Sequence, residues 1–250
     1  MSQGGRGRGR GRGAYQPEVK RPGGGSPKGE TTSPGGESVD ELVSSLNTLA
    51  IDARGKDVAQ VSETILKLAI STDKQELARV VYQKALEDWR LCRTISLLSQ
   101  KIIEDPKDGH FFRSTLLSML QSDYSKRDEM RKNNKTAYLG CLAFLCQVYA
   151  NLRNEAGEPF SVLLDPVYKA AENLLDNKAE EEEMLCVSHQ LFTCGKMMQL
   201  SDPTRWRGVI QAVRDIILDN RGSRDLRGSC IDLVEVAASE WKMKVADIYL

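Results

Sequence analysis

From residue 42 almost to the C-terminus, apolar side chains recur at steps of three and four, the spacing that lines one face of an α-helix. Leu42/Val43, Leu46 and Leu49/Ala50 predict a short first helix, with Ser38 and Asp40 as candidate caps. Val58, Val61, Ile65 and Leu68 predict a second after Asp57. Leu77, Val80/Val81 and Ala85 predict a third, and Leu91, Ile95, Leu98 and Ile102 a fourth, separated by a soft break near Asp88. Asp105-Pro106-Lys107-Asp108-Gly109 is a turn, because proline fixes one dihedral and glycine relieves another.

Phe112, Leu116, Met119/Leu120 and Tyr124 begin a long charged helix that runs out at 132–134. Tyr138, Leu142, Leu145, Tyr149 and Leu152 form the most apolar helix of the chain. Residues 162–175 predict another, with Pro166 tolerated near its start because the missing N–H has no partner there. Met184, Val187, Leu191, Cys194 and Met198 follow the acidic run 180–183. Trp206, Val209/Ile210, Val213 and Ile216/Ile217 follow a cap and proline at Ser201-Asp202-Pro203, and Leu226, Cys230, Leu233, Ala237 and Trp241 close the chain.

The expectation is an all-α chain of about ten helices of roughly 12–20 residues, since no segment sustains period-two alternation. Short links between helices of similar length fit a global bundle or pairwise stacking. A pair length of about 40 residues favours a HEAT-like solenoid of helical pairs.

Composition changes the picture at the N-terminus. Residues 1–36 hold twelve of the twenty glycines, seven Arg/Lys and two Glu, a charge of +5 in a chain of zero net charge. The remainder therefore carries −5. A segment so poor in apolar residues cannot offset its conformational entropy, so a disordered Arg/Gly-rich arm is expected. The domain reading is an arm over 1–36, a short linker helix over 37–54, a helical solenoid over 55–243 and a tail over 244–250. No window has the length and apolarity of a membrane span, and the arm has no apolar core of a secretory signal. The six cysteines lie in helical stripes without a CxxC pair and read as reduced core thiols, which implies a cytoplasmic or nuclear compartment.

Candidate chemistry is sparse. His110 is placed in a turn and His189 inside a helix, and neither has a second ligand at metal spacing. No phosphate cradle or nucleophile motif falls on a strand-to-helix turn, so no catalytic, cofactor-binding or metal residues are assigned and no enzyme is expected. The acidic run 180–183 fits a first turn complementing the helix dipole better than a docking patch. Trp89 is expected in an elbow between helices and Trp241 in the core. Trp206, between Arg205 and Arg207 at a helix start, is the candidate exposed partner contact. In the arm, Arg6, Arg8, Arg10 and Arg12 alternate with glycine, so each guanidinium is free to pair with phosphate or stack on a base, and the segment reads either as a weak, salt-sensitive RNA contact or as a solubilising tail with no specific ligand.

Phe112-Arg113 through Leu116-Leu117 and Tyr124, then 138–152, resemble the central helix pair of the middle domain of eukaryotic initiation factor 4G. Residues 182–198 also match. Arg221-Gly222-Ser223-Arg224-Asp225-Leu226-Arg227, followed by Asp232-Leu233-Val234-Glu235-Val236-Ala237-Ala238-Ser239-Glu240-Trp241, resemble its closing helix and terminal tryptophan. The likeness covers about residues 55–243, and its small single-domain members fit best. It implies a HEAT-repeat adaptor contacting a DEAD-box helicase, initiation factor 3 or mRNA-bound proteins in translation. A nuclear mRNA processing, export or decay scaffold of the same fold is the alternative. Neither a small-molecule substrate nor a membrane is implied. Leu46-Asn47-x-x-Ala50-x-Asp52 echoes the start of a poly(A)-binding-protein motif, but Ala53 stands where its anchoring phenylalanine belongs.

Overall fold

The computed structural model describes residues 34–47 and 56–242; within these, side chains are described from residue 63 onward and at 40, 41 and 43–47. Eleven α-helices run through them, and no strand occurs among the described residues. They are α1 (Pro34–Asn47), α2 (Lys56–Ser71), α3 (Lys74–Glu87), α4 (Cys92–Ile103), α5 (Gly109–Ser125), α6 (Arg127–Asn133), α7 (Lys135–Asn151), α8 (Leu164–Leu174), α9 (Glu181–Ser201), α10 (Pro203–Leu218) and α11 (Arg224–Ala238). Single 3₁₀ turns at Trp89–Leu91 and Ser161–Leu163 lead into α4 and α8. The all-helical, HEAT-like reading stands.

Helix starts follow local chemistry. Asp73 Oδ1 accepts from the Gln75 and Glu76 amides, Asn134 Oδ1 from Ala137, Asp202 Oδ1 from Arg205 and Ser223 Oγ from Leu226, each satisfying an amide the helix cannot. Pro203 is the first residue of α10, where its fixed φ is an asset. Two helices end in the same reverse turn. Asn220 (φ 55°) follows α10, with the Arg221 amide donating to Ile216 O; Glu240 (φ 56°) follows α11, with the Trp241 amide donating to Val236 O.

α7 is the axis of the stack. Every residue from Tyr138 to Ala150 is buried, and the helix touches α3, α4, α5, α8 and α9. A helix apolar on all sides belongs inside. Cysteine and glycine let the chain approach closely here: the Cys92 thiol lies 3.5 Å from both Ala85 O and Gly140 O. All six cysteines are free and buried. Trp89 is buried in the elbow between α3 and α4, with its ring edge on to His189 at 5.4 Å.

Four expectations shift. The first helix begins at Pro34, so Ser38 and Asp40 lie within it rather than capping it; Leu49 and Ala50 lie outside the described residues. The long charged helix is two, broken where the Lys126 amide turns to Asp123 O and Tyr124 O, a tightening that no proline or glycine announces. His110 is inside the first turn of α5, not before it. Val162 belongs to a 3₁₀ turn, and α8 starts two residues later. The arm's residues 1–33, including Arg6, Arg8, Arg10 and Arg12, lie outside the described residues, as do Ala50, Asp52 and Ala53; Leu46 is a buried residue of α1.

Candidate partner interface

The structure takes Trp206 off the surface. Its side chain is only 4% exposed, packed against Trp241 with ring centroids 5.9 Å apart. Arg205 is also committed: its guanidinium forks onto the Glu172 carboxylate at 2.7 and 3.0 Å, reaches Asp165 at 2.8 Å and lies over the Tyr168 ring at 4.6 Å. Hydrogen bonds from Lys169 and Arg205 hold the Asp165 carboxyl below its usual range. The Tyr168 hydroxyl sits between Met198 O and Asp202 O at 3.0 and 2.9 Å. Only Arg207 of the three expected contact residues is exposed, its guanidinium 3.3 Å from the Thr204 hydroxyl. The burial of Trp206 comes from a partner 35 positions away, which no local pattern discloses.

The acidic run 180–183 is likewise structural. Glu180 and Glu183 form a reciprocal capping box at the start of α9. Glu183, 2% exposed, takes a bidentate contact from Arg131 at 2.7 and 3.0 Å, and Glu180 pairs with Lys135 at 2.6 Å, which holds the Glu180 carboxyl below its usual range. His189 stands against Trp89, and burial, then the Arg90 charge, push its pKa down. No group of three or more His, Cys, Asp or Glu is placed to hold a metal ion among the described residues.

One end of the stack is open to a partner. The turns α2–α3, α4–α5, α7–α8 and α9–α10 come together there. Their contacts confirm it. Ile70, Lys74 and Phe111 line one depression, Arg113 pairs with Glu155 at 3.0 Å, and Gln100 accepts from the Arg153 amide at 3.0 Å. Val162 and Leu200 line another. Each turn presents one bare apolar side chain: Ile70 (78% exposed), Phe111 (52%), Val162 (77%) and Leu200 (74%). Four such residues on one edge, rimmed by polar groups, have the composition of a docking surface. The sequence carries a signal for them. Ile70 stands two residues past Leu68, and Leu200 two past Met198, each off its helix's stripe and next to a turn.

The MIF4G domain, a family model, matches residues 40–240. The chain belongs to the MIF4G-domain family. Among similar proteins, the CBP80/20-dependent translation initiation factor of Xenopus tropicalis is 29% identical over 217 residues, 85% of this chain but only 37% of that protein. The MIF4G domain-containing proteins of Xenopus tropicalis and Homo sapiens are 30% identical over 193 residues and 26% over 192, covering 75% and 74% of this chain and 86% of each of theirs. The MIF4G match begins inside α1 and ends at the Glu240 reverse turn, so all four apolar turns lie within it. No described helix of this MIF4G-domain chain is long and apolar enough to cross a membrane.

Proposed function

We propose that this MIF4G-domain chain is a non-enzymatic adaptor in translation. The helical body binds translation factors, a DEAD-box helicase or initiation factor 3, or proteins already on the message. Arg6, Arg8, Arg10 and Arg12 add salt-sensitive RNA affinity, and the work is done in the cytoplasm with access to the nucleus. The observation that carries the reading is the likeness, over 85% of this chain, to a protein named as a translation initiation factor. The bare apolar edge supports an adaptor: it offers contact area without a reacting group.

The test tethers the full chain to a reporter message through a heterologous RNA-binding module and follows protein and mRNA separately. A change in protein per message at constant mRNA level, with helicase or initiation factor 3 subunits recovered from nuclease-treated extract, is the expected result. A change in splicing, nuclear retention or mRNA half-life instead assigns the chain to a nuclear or decay scaffold and overturns the translational reading.

A further inference from the structure

The α7–α8 connector, residues 152–163, divides two apolar depressions. On one side a groove of about 580 Å³ runs to the end of α9, floored by Tyr149 and Met197 and walled by Phe160, Val162 and Leu200. On the other a cavity of about 370 Å³ has Leu117 and Tyr124 opposite the same Phe160 and Val162. Each is the size that takes one or two side chains, not a folded domain. Val162 stands on the ridge between them.

The rim charges are uneven. Glu155 is held by Arg113, Asp165 by Lys169 and Arg205, and the Arg153 guanidinium is spent on Leu152 O and Ala150 O at the end of α7. The exposed Glu158 carboxylate has no ion pair among the described residues. Its loop is nonetheless fixed, because Asn154 Oδ1 accepts from the Ala156 and Glu158 amides at 2.9 and 2.8 Å. The groove thus offers two apolar sockets and one open anionic anchor on a set backbone.

We propose that this groove docks a short amphipathic helix of a partner protein. Two apolar side chains on one face of that helix straddle Val162, and a Lys or Arg meets Glu158. Anchors three or four residues apart share one helix face, which matches a surface with two sockets beside one ridge. This deepens the adaptor reading, and rests on it, by naming the kind of segment the body holds. The edge is specific for a basic amphipathic motif because an acidic one would set its carboxylate against Glu158.

The test selects a displayed random library of peptides about 16 residues long on the full chain, long enough for four helical turns. Enriched peptides are expected to carry two apolar residues three or four apart with a basic residue within a turn. Val162→Asp or Leu200→Asp should weaken them by about tenfold or more, as loss of a buried anchor does. Glu158→Lys should weaken them by about threefold, with the difference vanishing at high salt. Ile231→Asp, an exposed apolar site on α11, should change nothing. Circular dichroism and thermal melts of each variant keep a folding defect from passing as lost binding. Peptides that bind Val162→Asp and Leu200→Asp as well as the parent overturn the proposal. So does a parent chain that sediments as a dimer and turns monomeric with Val162→Asp, which gives the groove to a second copy. So, too, does peptide binding that appears only after residues 243–250 are removed. A failed selection beside a positive tethering result removes the groove and leaves the adaptor; the converse removes the translational role alone.

Discussion

The rings of Trp206 and Trp241 meet over the α-carbon of Gly195, their centroids 5.9 Å apart. Three helices are joined at that point. Trp206 comes from the first turn of α10, Gly195 from the middle of α9, and Trp241 from the reverse turn that ends α11. Trp241 holds a left-handed backbone, φ 62°, which a bulky residue tolerates only when its surroundings over-determine it. Those surroundings are the Val236 carbonyl, which takes its amide at 3.0 Å, and Gln199, which takes its indole N–H at 2.7 Å. The aromatic pair thereby clamps the end of a helix that also buries Leu226, Cys230 and Leu233.

A Cβ at Gly195 would lie 2.5 Å from the Trp241 ring and 2.8 Å from that of Trp206. Gly195→Ala should therefore cost about 1–3 kcal/mol, as overpacking does, and lower Tm by about 2–4 °C for each kcal/mol. Gly208, inside α10, has nothing within 4 Å of its would-be Cβ. Gly208→Ala should raise stability by about 0.5–1 kcal/mol through helix propensity. Two glycine-to-alanine changes one helix apart should thus move Tm in opposite directions in a scanning calorimeter. The same sign for both would refute the packing argument.

Gly140 is the harsher case. A Cβ there would meet Ala85 O at 2.4 Å and the Leu86 Cα at 2.6 Å, backbone atoms that cannot rotate away. Gly140→Ala should reach or exceed the top of the range of about 1–3 kcal/mol, and exceed Gly195→Ala, where only ring edges must yield. Equilibrium urea denaturation of both variants decides the order.

How much of this could be read along the chain depends on how local its cause is. The start of α10 at Asp202-Pro203, the turn at Pro106 and the buried axis at Tyr138 to Ala150 rest on neighbouring residues, and all three were legible. The break at Lys126 was not, because no proline or glycine marks it and α6 is held by a residue far along the chain, Arg131 on Glu183. Trp206 misled for the same reason: flanking arginines suggest exposure, but Trp241 and Gly195, brought in by the fold, decide it. Ile70 and Leu200 were visible only as apolar residues out of phase with their stripes, a signal that marks a surface once the neighbouring turns are known, whereas Val162 read as the start of a helix that begins at Leu164.

His189 makes stability pH-dependent with a definite sign. Burial against Trp89 and the nearby Arg90 depress its folded pKa, so the unfolded chain takes up the proton first as pH falls. The neutral imidazole's contribution is complete above the unfolded value of about 6.5 and is lost as pH drops from there toward the folded value. His189→Gln should flatten the fall in Tm between about pH 7.5 and 5.5, a window that brackets that value. An unchanged slope would assign the acid sensitivity to other groups.

The buried thiols should be silent. Burial pushes Cys141 up to about 12 and Cys230 up to about 11, far above the pH of a thiol assay, and the thiolate is the reactive form. A disulfide-exchange reagent at about pH 8 should therefore release little chromophore from the native chain, and six equivalents after denaturant. Fast release of even one equivalent would place a cysteine at the surface.

Arg131 and Glu183 pose the sharpest energetic test, because the carboxylate is 2% exposed and the Glu180 amide is its other hydrogen-bond donor, at 2.7 Å. Replacing Arg131 by methionine leaves that charge buried without its partner, which should cost about 3–5 kcal/mol. Adding Glu183→Gln removes the charge while the side-chain oxygen still accepts from the Glu180 amide. The double variant should accordingly be more stable than Arg131→Met alone, the signature of a pair whose members are coupled. Urea denaturation of the two single variants, the double and the parent closes the cycle. If the double is the least stable of the four, the Glu183 carboxylate stabilises the fold through the Glu180 amide even without the arginine, and neutralisation of a buried charge is not what the pair supplies.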